Sequence, residues 1–574
     1  MRVSPKLARF FPFLNWKRPD QATLRQDVLA GITVGLVLVP QALAYAALAG
    51  MPLHTGLYAA LLPGIIGMLW GSSPLLAVGP TALSSILVFG SLAALATPGS
   101  DNWVTLTIWL ALYSGVIQML LGVFKTGKVT YLVSQPVVTG FINAAALIII
   151  LSQLPSLLGL DVSGGWLPAL SDLLTPSPAQ GITMAFGLGS LGLLLFFKRV
   201  LPTLPGALII TVLGITASWL LDYASFGARV VGTLPQSLPD LSLPPAITLD
   251  SHRELLPAAL ILALLSFTEA MSSARVLARK RNENWDENQE LIGQGMAKIS
   301  SGFCGAFPVS GSFSRSALNL YAGAQTAWSN LVSVVCVLFS LLFLTEVLAY
   351  LPYSVLAALI ILPVLNLLEP VAFKRLHVIS RGDGWVALIT LAATLVFMPR
   401  LHLGVFAGVG MTMALYLYRR TRPRVIEVAE HADGTMRDRQ RFDLDPVAPD
   451  VLAVRMDAAL DFLTGATLER FIHEGRAARA GVRRVLLCAN GINDIDASGV
   501  DAMESLHASL KSEDIALHVS AVKKQVWDVL DRAGAIDKLG RSCFYPTDRL
   551  AIAALRERPS LQGTPPSDSL PSRS

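Results

Sequence analysis

The hydrophobic pattern divides the chain into two unlike stretches. From Val28 to Tyr418 long apolar runs follow one another with few charges between them; after Arg419 charged residues become dense and the apolar runs shorten. The first stretch predicts roughly fourteen helices of spanning or near-spanning length. Their centres lie near Val37, Leu62, Leu87, Leu112, Ala145, Gly189, Val212, Leu262, Met296, Leu318, Val337, Leu359, Leu391 and Val409. The second stretch alternates strands (451–456, 484–489, 515–522) with helices (466–478, 498–510, 524–533), the pattern of a small α/β domain. The expected divisions are an N-terminal segment (1–27), a transmembrane domain (28–424), a linker (425–445), the α/β domain (446–556) and a disordered Ser/Pro-rich tail (557–574).

Composition and charge sharpen this picture. At 53% hydrophobic and 15% charged over 574 residues, the chain is too apolar for an ordinary soluble enzyme. The net charge of +5 is spread over loops beside the apolar runs, so it reads as topology and gives no nucleic-acid footprint. With the N-terminus inside, the basic loops are those holding Lys125 and Lys128, Lys198 and Arg199, Arg275 to Arg281, and Lys374 to Arg381, with the exit at Arg419 to Arg424. Both termini are therefore expected in the cytoplasm. Residues 1–27 join basic residues to Phe10, Phe11, Phe13 and Trp16, the mark of a helix lying on membrane lipid. Cys304, Cys336, Cys488 and Cys543 form no CxxC pattern, and His54, His252, His377 and His402 are scattered, so neither a metal cluster nor an intramembrane enzyme is indicated. No cofactor is expected.

Three interruptions of the apolar runs carry candidate chemistry. Phe307 to Ser316 sets Arg315 among hydroxyls at membrane depth, where an Arg costs roughly 3 kcal/mol unless it faces a cavity, partner or ligand. Pro308 and Gly311 break the preceding helix and Ser312 can open another, so the free N–H groups after Gly311 would face an anion together with Arg315. Val78-Gly79-Pro80-Thr81 breaks the third run in the same way, half a chain earlier. Recurring breaks at that spacing point to two inverted repeats with a site at the midplane. Pro40 breaks the first run before Gln41 and Tyr45, which share one helical face; a simple Pro kink is the alternative. Glu269, in the eighth run, is either a functional carboxylate or a structural partner for Arg315. In the α/β domain, Asp496 or Ser498 caps a helix.

The segments Pro40 to Ala46, Pro52 to Tyr58, Gly79 to Ala82 and Pro308 to Ser316 resemble the SulP sulfate permeases and related anion transporters, over nearly the whole chain, and the C-terminal domain resembles the STAS fold. The resemblance implies an α-helical polytopic membrane protein of about 14 spans as a 7+7 inverted repeat with core and gate domains, a small cytoplasmic α/β STAS domain, and homodimers. It implies an anion pocket at Gln41, Tyr45, Thr81, Gly311, Ser312, Phe313, Ser314 and Arg315, with Glu269 as the proton-coupling residue. Sodium-coupled bicarbonate members are less similar, since they tend to carry Asp at the position of Glu269 and lack Arg at that of Arg315. The expected activity is proton-coupled sulfate symport in an inner membrane. Bicarbonate, C4-dicarboxylate or chloride carriage, exchange, and an anion channel are the alternatives. In this expectation an empty pocket holds Glu269 ionised and paired with Arg315. The STAS domain supports dimerisation and cytoplasmic partners, and Ser498 matches a modification site of stand-alone STAS proteins.

Overall fold

The computed structural model describes residues 11–15, 19–160, 177–201, 205–365, 367–398 and 400–557. Most of the expected tail (557–574), and Phe10 and Trp16 of the N-terminal segment, lie outside these residues. Two compact units separate at Thr412 and Met413.

In the first unit every predicted centre falls in a helix. The spans are, in order, Gln21–Leu48; His54–Ala60 with Leu62–Trp70; Ala82–Leu92; Asp101–Val123; Gln135–Leu158; Pro178–Val200; Gly206–Leu220; Leu249–Arg281; Glu287–Phe303; Phe313–Tyr321; Trp328–Phe343; Tyr353–Leu365; Arg381–Val396; and Leu401–Arg420. Seven helices are long and apolar enough to cross a membrane by themselves among the described residues. The third and tenth are shorter because part of each crossing is made by a strand: β1 (Ala77–Gly79) precedes the third span and β2 (Ser310–Ser312) precedes the tenth. The first span, in contrast, runs through Pro40 without a break, which corrects the expected interruption there.

Spans one to four pack with eight to eleven, and five to seven with twelve to fourteen. These are the core and gate groups. Within the core, spans four and nine cross so closely that only glycine fits: a Cβ on Gly115 would lie 2.7 Å from the Gly295 carbonyl oxygen, and one on Gly295 would lie 2.6 Å from that of Gly115.

The second unit holds a six-stranded sheet in the order β4-β3-β5-β6-β7-β8, with β3 Val425–Glu430, β4 Met436–Asp438, β5 Val451–Met456, β6 Arg484–Cys488, β7 Ala516–Ser520 and β8 Phe544–Tyr545. From β5 to β8 the pairing is parallel; β3 runs antiparallel to β5 and to β4. Both faces of the central strands are covered: Leu452, Val454 and Met456 enter one core, Val451 and Ala453 the other. Residues 425–445 are thus not a linker. Val425 to Glu430, read Val-Ile-Glu-Val-Ala-Glu, lacks strict apolar–polar alternation, and the charged run after Met436 hid the second strand.

Gly295→Val should force spans four and nine apart. Overpacking of this kind costs about 1–3 kcal/mol, so we expect lower folded yield and a thermal midpoint in detergent reduced by several degrees; an unchanged midpoint would mean the crossing is looser than described.

Candidate anion site between core and gate

The site is built on the β1–β2 ribbon. At membrane depth a broken helix must satisfy its backbone groups internally, and the two breaks do this for each other, pairing antiparallel with Ala77 opposite Ser312, Val78 opposite Gly311 and Gly79 opposite Ser310. Side chains complete the accounting. The Thr81 hydroxyl accepts from Ser84 N–H at 3.3 Å and caps the third span, and the Ser312 hydroxyl accepts from Arg315 N–H at 3.4 Å and caps the tenth. Ser316 Oγ accepts from Ala77 N–H at 2.9 Å and donates to the Ser312 carbonyl at 2.6 Å. Gly311 N–H donates to Gln294 Oε1 at 3.1 Å, and Gln294 Nε2 donates to Glu290 Oε1 at 2.9 Å. The buried Glu290 Oε2 in turn accepts from the N–H groups of Ser72 and Ser73 at 2.9 and 3.0 Å.

Between the core and gate groups lies a cavity of about 540 Å³. Its core wall carries Tyr45, the third-span start at Thr81 and Ala82, the tenth-span start at Ser312, Phe313 and Ser314, and Thr268, Glu269 and Ser272 from the eighth span. The gate contributes Gln135, Val138, Ile142, Pro363, Leu367 and Glu369. Two helix N-termini, with their unbonded N–H groups and positive dipole ends, therefore open on one chamber. Glu269 Oε2 is buried and has no hydrogen-bond partner.

Not every expected residue lines this wall. Gln41 lies one turn from Tyr45, with its Oε1 buried and unpartnered. Gly311 is held in the ribbon by Gln294. Arg315 lies behind the wall at 1% exposure; its Nη1 donates to the Pro80 carbonyl at 2.8 Å, while Nε and Nη2 have no partner. The expected Glu269–Arg315 ion pair is not formed. In the first turn of a half-helix the Arg315 side chain leans back toward the helix start, and the Pro80 carbonyl captures it there.

The sequence reading also passed over Lys298, the one cation of the ninth span, which is fully buried. Its Nζ donates to Gln118 Oε1 and Ser266 Oγ, both at 2.8 Å. The signal was the one that singled out Glu269: an ionisable residue at membrane depth. In the second unit Asp496 caps the helix Ala497–Ser512, its carboxylate accepting from Gly499 N–H at 2.7 Å, and Ser498 is exposed in the first turn. No group of three or more His, Cys, Asp or Glu that could hold a metal occurs among the described residues.

Residues 24–390 match the sulfate permease family and residues 445–549 the STAS domain. This chain belongs to the sulfate permease family. A probable sulfate transporter of Mycobacterium tuberculosis is 31% identical over 93% of this permease and 96% of its own length. "Sulfate transporter 4.1, chloroplastic" of Arabidopsis thaliana is 30% identical over 95% and 82%. Among solved structures, the murine Solute Carrier 26 family member A9 anion transporter in the inward-facing state shares the fold, with a TM-score of 0.86 at 21% identity, covering 97% of this permease and 96% of that chain. The transmembrane domain of a cyanobacterial bicarbonate transporter matches 68% of this permease and 99% of itself, with a TM-score of 0.58 at 25% identity. This permease is therefore a multi-pass membrane protein of an anion-transporter family with a C-terminal STAS domain.

The permease's ribbon can be tested through Ser316. Ser316→Ala strands the buried Ala77 N–H, a loss of about 1–3 kcal/mol. We expect a lower thermal midpoint, with retained helical content and weaker anion binding by isothermal titration. Binding and stability both equal to wild type would show that the ribbon does not depend on this hydroxyl.

Proposed function

We propose that this permease carries sulfate together with a proton, binding the anion between the third- and tenth-span helix starts and the proton on Glu269. The observation that carries this reading is the cavity where both N-termini open beside a buried carboxyl oxygen without a partner. The described wall holds two carboxylates, Glu269 and Glu369, and no Lys or Arg. Like charges 4 Å apart repel by about 4 kcal/mol in surroundings of intermediate polarity, about a thousandfold in affinity. An anion therefore enters readily only once Glu269 takes a proton. The Ser312, Ser314 and Thr81 hydroxyls and the helix-start N–H groups then receive it, with Arg315 adding positive potential from behind. That these relatives are named as sulfate transporters supports sulfate as cargo.

The basic loops support an inner-membrane orientation with both termini in the cytoplasm. We assign the STAS domain to homodimer support and cytoplasmic partner binding, for which exposed Ser498 is available. Protons are favoured over sodium because Phe313 offers no side-chain oxygen at the site.

Labelled sulfate uptake into proteoliposomes, with and without an inward proton gradient, tests the reading. Wild type should respond to the gradient, and Glu269→Gln should lose its pH dependence. Uptake in which bicarbonate or succinate is carried and sulfate ignored would replace the substrate, while non-saturating currents would favour a channel. Arg315→Ala should lower sulfate uptake more than tenfold, about 1.4 kcal/mol; near-normal uptake removes Arg315 from the site.

A further inference from the structure

Lys298, in the ninth span, is 0% exposed. Two neutral acceptors hold it, Gln118 Oε1 and Ser266 Oγ. Gln118 is itself fixed from the other side, its Nε2 donating to the Ala263 carbonyl at 2.6 Å, and Ser266 donates to the Leu262 carbonyl at 2.5 Å. These partners satisfy donors but cancel no charge, and an uncompensated buried ammonium costs several kcal/mol. The acidic residue next to that Ser266 hydroxyl along the eighth span is Glu269. Ser266 stands one helical turn before Glu269 on the same span, so the hydroxyl that anchors Lys298 also sets its distance from the carboxylate.

We propose that Lys298 is the standing counter-ion of Glu269 and sets the pH at which the permease loads and releases its proton. It is a positioning residue that acts through Glu269 without touching the cargo, and the inference rests on the proton-coupling reading of that carboxylate. The other groups facing Glu269 are Arg315 from the tenth span, Tyr45 from the first, and Glu369 across the cavity. The ribbon strands and the third-span helix bring no ionisable side chain. Arg315, like Lys298, is held by an uncharged acceptor, the Pro80 carbonyl, so both cations face Glu269, Arg315 from the tenth span and Lys298 from the ninth through Ser266. When Glu269 is ionised its pair with Lys298 is neutral. When Glu269 takes a proton, the Lys298 charge is left over and adds to the potential that draws an anion into the chamber.

The test is the pH profile of sulfate uptake by the full-length protein in proteoliposomes, comparing wild type, Lys298→Met, Lys298→Arg, Glu269→Gln and the double variant Lys298→Met/Glu269→Gln. Removing a cation near a carboxyl disfavours its ionised form. The midpoint in Lys298→Met should therefore move up by about one pH unit, a tenfold lower proton concentration, whereas Lys298→Arg should stay closer to wild type. The double variant should be as flat with pH as Glu269→Gln alone. An active Lys298→Met with the wild-type midpoint overturns the proposal. If Lys298→Met does not fold, adding Glu269→Gln should restore folded yield, because neutralising both leaves no lone charge; no restoration makes Lys298 purely structural and overturns it too. Failure of the underlying reading is separately visible, since Glu269→Gln by itself would then keep the wild-type pH dependence and both ideas would fall.

Discussion

Backbone groups cannot be left bare in hydrocarbon, and that constraint organises this protein. Two helices are interrupted at membrane depth, so each interruption exposes donors and acceptors that water cannot reach. The three-residue ribbon is the solution: Ala77 to Gly79 and Ser310 to Ser312 satisfy one another, and Ser316 and Gln294 take up remaining N–H groups of Ala77 and Gly311. What is left over is useful. The first N–H groups of the third and tenth spans stay free, both helix starts face one chamber, and an anion is the natural complement to them.

Charge is managed by the same economy of partners. Arg315, Lys298 and Glu290 are all buried, and each is held by uncharged groups: a Pro80 carbonyl; Gln118 and Ser266; Gln294 and the N–H groups of Ser72 and Ser73. None is locked into an ion pair among the described residues. Short-range bonds fix geometry while long-range fields remain available to respond when a proton or an anion arrives. A tight Glu269–Arg315 bridge would have cancelled that field before the cargo could use it.

The spans were legible because apolar length is a strong signal, and the two breaks were legible because Gly79, Pro80 and Gly311 are poor helix formers in apolar surroundings. Thr81 and Ser312, at those breaks, line the cavity. Pairing was not legible. Nothing in the one-dimensional pattern says that Arg315 meets a Pro80 carbonyl, since a backbone acceptor leaves no trace in composition. Gln41 and Gly311 entered the expected pocket through the breaks and the family resemblance; neither is among the residues lining the cavity, Gln41 sitting one turn from Tyr45 with a buried, unpartnered Oε1 and Gly311 held in the ribbon by Gln294. Lys298 was visible as the one cation of the ninth span, but that span also carries Glu287, Gln289, Glu290 and Gln294, so a single interior charge did not stand out from its polar neighbours. At 425–445, a flanking strand two residues past Pro423 was mistaken for connecting chain because turn and charge signals bracket it.

The chain of bonds from Ser72 and Ser73 through Glu290 and Gln294 to Gly311 has a mechanical consequence. Glu290 and Gln294 sit one turn apart on a single helix, so the loop after the second span, the ninth span and the ribbon behave as parts of one stiff frame. Hydrogen bonds thus run without interruption from that loop to the ribbon beside the two helix starts that line the cavity.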